Sequence, residues 1–216
     1  MIAGRRKLMT RAHFCLASFA LFCGTAQASI LLTANLTNAG ENPPTHPTLV
    51  SGAPRPASFG TATFLINDAM TSMTFTATIF NIDFTGTQSV DTNDNLVAAH
   101  IHAAALVTPT TNAPVVWGFF GSPFNDNNPN DVVITPFASG VGGTISGKWD
   151  APEGNGTTLA AQLPNILSGN SYINFHTNQF GGGEIRGALV VAPEPATCWL
   201  IGGAAVALML RRRRAA

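Results

Sequence analysis

The octapeptide Met73-Thr-Phe-Thr-Ala-Thr-Ile-Phe80 decides the fold class. Apolar residues alternate with threonine at a strict period of two, the mark of a strand with one face in a core and one in water. Working outward, short segments of similar character recur at Ile30 to Leu36, Phe59 to Ile66, Val97 to His102, Val115 to Phe120, Val132 to Phe137, Gly143 to Trp149, Tyr172 to His176 and Glu184 to Val191. Clusters of Gly, Pro, Asn and Asp separate them, as turns do. One stretch has helical spacing, Thr157 to Leu167, and Pro164 is expected to interrupt it. Many short strands without long helices predict an all-β, antiparallel, Greek-key-like sandwich over residues 29–192.

The two ends have a different composition. Arg5-Arg6-Lys7, the apolar run Phe14 to Gly24 and the small-residue triplet Ala26-Gln27-Ala28 follow one another in the order of a secretory signal peptide. Residues 1–28 are therefore expected to be removed by signal peptidase after Ala28, with Ala26 and Ala28 as the recognition pair. At the other end Thr197 to Leu210 is apolar, and Arg211 to Arg214 follow it. This predicts a short membrane helix over 197–210, with its arginines on the cytoplasmic side. The run is shorter than the ~20 residues of a full span, and snorkelling arginines can extend it.

Charge follows the same division. The 216 residues balance to zero net charge, but the three basic residues between Ser29 and Ala192 (Arg55, Lys148, Arg186) face ten acids, leaving that part at −7. An acidic domain is a poor partner for nucleic acid. All three cysteines (Cys15, Cys23, Cys198) lie in the end segments, so the middle can build no disulfide, thiolate metal site or cysteine nucleophile. No nucleophile elbow, phosphate-binding loop or zinc-protease motif is present. The expectation is a protein that is not an enzyme.

Two resemblances organise these observations. Pro193-Glu194-Pro195, a short apolar helix and a terminal arginine cluster resemble the PEP-CTERM sorting signal of Gram-negative bacteria, here over residues 193–216. That resemblance implies handling by an exosortase, transient anchoring in the membrane, and release to the cell surface or extracellular matrix. The segments Leu32-Thr-Ala-Asn-Leu-Thr-Asn-Ala-Gly-Glu-Asn-Pro-Pro44, Phe59-Gly-Thr-Ala-Thr-Phe64, Ala99-His-Ile-His102, Gly169-Asn-Ser-Tyr-Ile-Asn-Phe-His-Thr177 and Gly182-Gly-Glu-Ile-Arg-Gly187, in that order, resemble the CHRD domain first named in chordin. The chain departs from that pattern after His102, where Ala103-Ala-Ala-Leu-Val replaces a Gly/Pro-rich turn, and at Gly182, which replaces a proline. The resemblance implies an extracellular domain with no established enzymatic activity; with the acidic, cysteine-free composition and no catalytic motif, the expected role is binding or structural.

The face arithmetic isolates one candidate site. On alternating strands His100 and His102 share a face, as do Tyr172, Asn174 and His176, and as do Glu184 and Arg186. If the three strands are neighbours, these side chains form one cluster. Two readings follow. In the first, the cluster is a structural clamp, with a Glu184–Arg186 pair anchoring hydrogen bonds across the sheet. In the second, His100, His102 and His176 bind Zn or Cu, with Glu184 as a fourth ligand or a support, and the protein is a metal-binding extracellular protein, a redox enzyme among the alternatives. The second needs the nitrogens of His102 and His176 within about 7 Å of each other. Asp126, Asn127, Asn128 and Asp131 offer oxygen ligands without a calcium-loop spacing and are expected to form a solvated, flexible loop. Gly181-Gly-Gly183 is expected to be a turn rather than an anion-binding nest.

Overall fold

The computed structural model describes residues 29–193. The signal-peptide segment with Ala26 and Ala28, Glu194 and Pro195 of the sorting motif, and the apolar run 197–210 lie outside the described residues.

Ten strands form one antiparallel sheet: β1 (Ile30–Thr37), β2 (Phe59–Ile66), β3 (Ser72–Phe80), β4 (Leu96–Ala103), β5 (Val115–Phe120), β6 (Val133–Pro136), β7 (Gly142–Asp150), β8 (Ser171–Thr177), β9 (Ile185–Ala188) and β10 (Val190–Val191). Their order is β5-β4-β8-β9-β1-β2-β3-β7-β6, with β10 also on β1. The chain builds it from the meander β1-β2-β3 and the hairpins β4-β5, β6-β7 and β8-β9. The links from β3 to β4, from β5 to β6 and from β7 to β8 carry the chain between its two arms.

The octapeptide Met73 to Phe80 behaves as its pattern requires. Met73, Phe75, Ala77 and Ile79 are buried, and the threonines between them point outward. β1 and β2 alternate in the same way, and the pairing Ala34–Ala62–Ala77 keeps the apolar faces in register. A one-residue slip would turn every one of these side chains to the wrong face, so burial itself selects the register.

The sheet curls into a half-barrel whose arms close on each other. Phe75 of β3 lies 4.6 Å from Phe119 of β5, centroid to centroid, although five strands part them in the sheet. Trp117 of β5 stacks on Trp149 of β7 at 5.6 Å and 2°. The expected sandwich is thus met by one continuous sheet, with its apolar side folded inward around these rings.

Helix α1 (Leu159–Leu167) sits in the link between β7 and β8. It starts where Thr158 Oγ1 accepts the Ala161 N–H, an N-cap. It buries Leu159, Leu163 and Ile166 along one stripe. Pro164 does not interrupt it, contrary to expectation: the proline removes one backbone donor, and the packed stripe holds the turn on either side.

Candidate functional site

β4, β8 and β9 are neighbours, as the clustering of the polar faces requires. His100 lies opposite Asn174, His102 opposite Tyr172, and Asn174 opposite Arg186. Alternation then puts His100, His102, Tyr172, Asn174, His176 and Arg186 on one side of the sheet, while Ile101, Ile173, Phe175 and Ile185 face the core. Val97, which strict alternation would place with Ala99 and Ile101, is exposed, because the pairing slips between Leu96 and Ala98.

The polar side is not open to water. Loops at 104–114, 121–125 and 179–183 roof it, and the three histidines are only 3–8% exposed. Each presents one ring nitrogen to a backbone carbonyl. His100 Nε2 meets Ser122 O at 3.1 Å, His102 Nδ1 meets Ala113 O at 2.8 Å, and His176 Nδ1 meets Gly181 O at 3.0 Å. The other nitrogens turn toward one another: His100 Nδ1 and His176 Nε2 are 3.1 Å apart, and His102 Nε2 is buried without a partner. The three residues offer nitrogens that all lie within 4.8 Å of one another.

Burial holds all three rings below the ordinary imidazole range. Burial, together with His176 and His102, pushes His100 down to about 3. Burial pushes His102 down to about 4; His176 and Arg186 add to this, against the Ala113 carbonyl. Burial lowers His176 as well.

Around the histidines lies a polar frame. Tyr172 stacks on His102 at 4.7 Å and 7°, and the Arg186 guanidinium lies 4.3 Å above the centre of the Tyr172 ring. Arg186 also donates to the carbonyls of Gly40, Thr108, Pro109 and Thr111 and to Asn112 Oδ1, tying the roofing loop to the sheet. Asn174 Nδ2 donates to Glu41 Oε2 at 2.6 Å. Burial raises the Glu41 carboxyl, against the Asn42 N–H, Arg186 and Asn174. Gly183 makes the close approach here: its φ is +125°, and a Cβ would stand 2.4 Å from Asn174 Nδ2.

Glu184 does not join this cluster, which corrects the expectation for it both as a metal ligand and as the partner of Arg186. Its fully buried carboxylate accepts from Arg55, Ser58 and Thr177 instead. The physical reason is charge: Arg55 is buried too, and two buried ions cost least when they meet.

The loop 122–131 differs from expectation at Asp126. Asp126 is fully buried, and its Oδ2 accepts the N–H groups of Asp131 and Val132. Glu153, 4% exposed, accepts the N–H groups of Asn127, Asn128 and Asp150 and the indole N–H of Trp117. These carboxylates tie the loop down, while Asn127 and Asn128 stay exposed to solvent as expected. Gly181 to Gly183 form a turn, as expected, with the Gly183 N–H donating to Phe180 O.

Sequence reasoning missed Glu41, Arg55, Asp126 and Glu153 as buried polar anchors. Arg55 carried a signal: one of only three cations in an acidic domain has many carboxylates to choose from. Glu41 sat inside a quoted family segment, but nothing local to it pointed to Asn174.

The family model of the CHRD domain matches residues 32–189, nearly all of the described chain. The chain belongs to the CHRD-domain family. Directly after this domain, the model of the PEP-CTERM protein-sorting motif matches residues 191–214. That motif implies export, a membrane-associated sorting step, processing by an exosortase and a surface location. Among the described residues no helix is long and apolar enough to cross a membrane. No curated protein and no solved structure matches the chain.

Proposed function

We propose that this CHRD-domain protein is a non-enzymatic binding or structural component of the bacterial cell surface or extracellular matrix. The observation that carries the reading is the juxtaposition of a CHRD domain over 32–189 and a sorting motif over 191–214, which leaves almost no linker between cargo and address. On this reading signal peptidase cuts after Ala28. The segment 197–210 then holds the chain in the membrane until an exosortase acts near Pro193-Glu194-Pro195.

The surface best suited to binding is the outer face of β1, β2, β3 and β7. Cross-strand rows run Thr33–Thr63–Thr76–Ser146 and Asn35–Thr61–Thr78–Thr144. At one end Phe59 and Phe80 stack in the open, 4.8 Å apart and 48% and 38% exposed. Rows of hydroxyls beside exposed rings suit a hydroxyl-rich partner such as a matrix polysaccharide, which offers hydrogen bonds and sugar faces together.

The test is cell fractionation of a host with and without its exosortase, with mass spectrometry of the recovered chain. The expected result is a surface or extracellular protein beginning at Ser29, retained at the membrane when the exosortase is missing. A chain that stays in the cytoplasm overturns the sorting reading. A robust hydrolase or redox activity of the exported protein overturns the non-enzymatic one. Thr63→Glu with Thr76→Glu is expected to release the protein from isolated matrix without unfolding it; undiminished retention removes this face from consideration.

A further inference from the structure

From the geometry of His100, His102 and His176 we infer a mononuclear three-histidine site for an ion of the copper and zinc class. This goes beyond the sorting and matrix reading and does not depend on it.

His100 and His176 carry fewer ring protons than their contacts require. His100 and His176 make three close contacts through their ring nitrogens: with Ser122 O, with Gly181 O, and with each other at 3.1 Å. Each contact needs one hydrogen between its two atoms, because carbonyl oxygens and unprotonated ring nitrogens only accept. Two neutral imidazoles carry two ring protons. One contact is therefore always left with two lone pairs facing at about 3 Å. If both protons serve the carbonyls, the pair left facing is His100 Nδ1 and His176 Nε2. A cation between them resolves the conflict. A third proton is opposed by the burial of both rings.

The dimensions agree with a metal. Two imidazole nitrogens at ~2.1 Å from one tetrahedral ion stand about 3.4 Å apart, close to the 3.1 Å found between His100 and His176. The third donor is His102, whose Nε2 is buried and lacks any partner. With the three ligand atoms within 4.8 Å of one another and a ceiling of about 4.2 Å for a shared ion, a ring movement on the order of 1 Å closes the set. Each imidazole also has its outer nitrogen on a backbone carbonyl, the support that fixes the tautomer of metal-bound histidine.

Three neutral nitrogen donors suit copper and zinc. The ligands bring no negative charge, and Arg186 stands behind Tyr172. The cost of burying an ion rises with the square of its charge, so copper(I) is expected to bind more tightly than zinc.

The experiment uses the full chain in detergent, carrying Cys15→Ser, Cys23→Ser and Cys198→Ser so that no thiol competes. After stripping with a chelator, it is loaded with Cu(I) under ascorbate or with Zn²⁺. Elemental mass spectrometry then counts bound metal, and X-ray absorption identifies the ligands. The expected result is one ion per chain with three imidazole nitrogens, a raised melting temperature, at least a tenfold loss of occupancy in His102→Ala, and no loss in His46→Ala. His102→Ala leaves the His100–His176 contact intact, so its fold is expected to survive; the absorption spectrum of the unaltered site reads the ligands even if it does not. A folded protein that takes up neither ion overturns the inference. So does an absorption spectrum without three imidazole nitrogens, or uptake undiminished in His102→Ala.

Discussion

At the scale of single residues, buried charges hold this domain's loops to its sheet. Glu184 and Arg55 are both buried and meet each other, and Arg55 also donates to Ser58 and to Asn81 O. Removing one partner strands the other without water, so Arg55→Ala is expected to cost about 3–5 kcal/mol. Urea unfolding with an unchanged m-value checks this; a loss under 1 kcal/mol would place the pair among weak surface ion pairs. Asp83 shows the opposite balance to Asp126. Burial alone would raise Asp83, but the N–H groups of Ser89, Thr85, Gly86 and Gln88 outweigh it and hold the carboxyl below its usual range. Asp126 is pushed up to about 6, first by burial and then, against two backbone N–H groups, by Asp131 and Glu153. A carboxyl whose folded pKa exceeds its unfolded value favours folding less as pH rises through the folded value. The parent is therefore expected to lose stability relative to Asp126→Asn between pH 4 and 7, in paired thermal melts. A difference that does not change with pH would contradict the assignment.

At the scale of elements, most of the strand layout was legible. Phe59 to Ile66 and Val115 to Phe120 have the same bounds in sequence reading and structure, and several others agree within one residue. Period-two alternation is a local signal, and it works where one face meets water. The last expected strand, Glu184 to Val191, instead divides into β9 and β10 around Leu189, whose N–H goes back to Ser171. Helix α1 depends on its cap and its stripe. Thr158→Ala is expected to cost ~1 kcal/mol in a denaturation series. At Gly118 the loop over the histidines touches the sheet: a Cβ there would stand 1.8 Å from Pro123 O and 3.0 Å from His100 Cδ2. Gly118→Ala is expected to destabilise by about 1–3 kcal/mol and to lift Ser122 O from His100. A shift of the His100 ring resonances in NMR is the readout, and an unmoved spectrum would show that the loop yields elsewhere.

At the scale of the whole molecule, the closure of the two arms is the decisive event. Trp117, Trp149, Phe75 and Phe119 bring together strands from opposite ends of the sheet order. Trp149→Ala is expected to cost about 3–5 kcal/mol, because the cavity left behind lies between arms that no hydrogen-bond ladder joins. Equilibrium denaturation measures it, and a loss below 1 kcal/mol would mean that the arms close without the stack.

By itself the sequence determined the exported design, the all-β class, the strand periods and the shared faces of His100 with His102 and of Tyr172, Asn174 and His176. These follow from composition, from the order of motifs along the chain and from a two-residue repeat, all carried by near neighbours. Only the tertiary structure decided that β4, β8 and β9 lie side by side, that loops bury the histidines, and that Glu184 leaves them for Arg55. Strand order and ion pairing are choices among distant partners. They are settled by which arrangement buries the most apolar surface while leaving the fewest charges unpaired, and no local pattern encodes that sum.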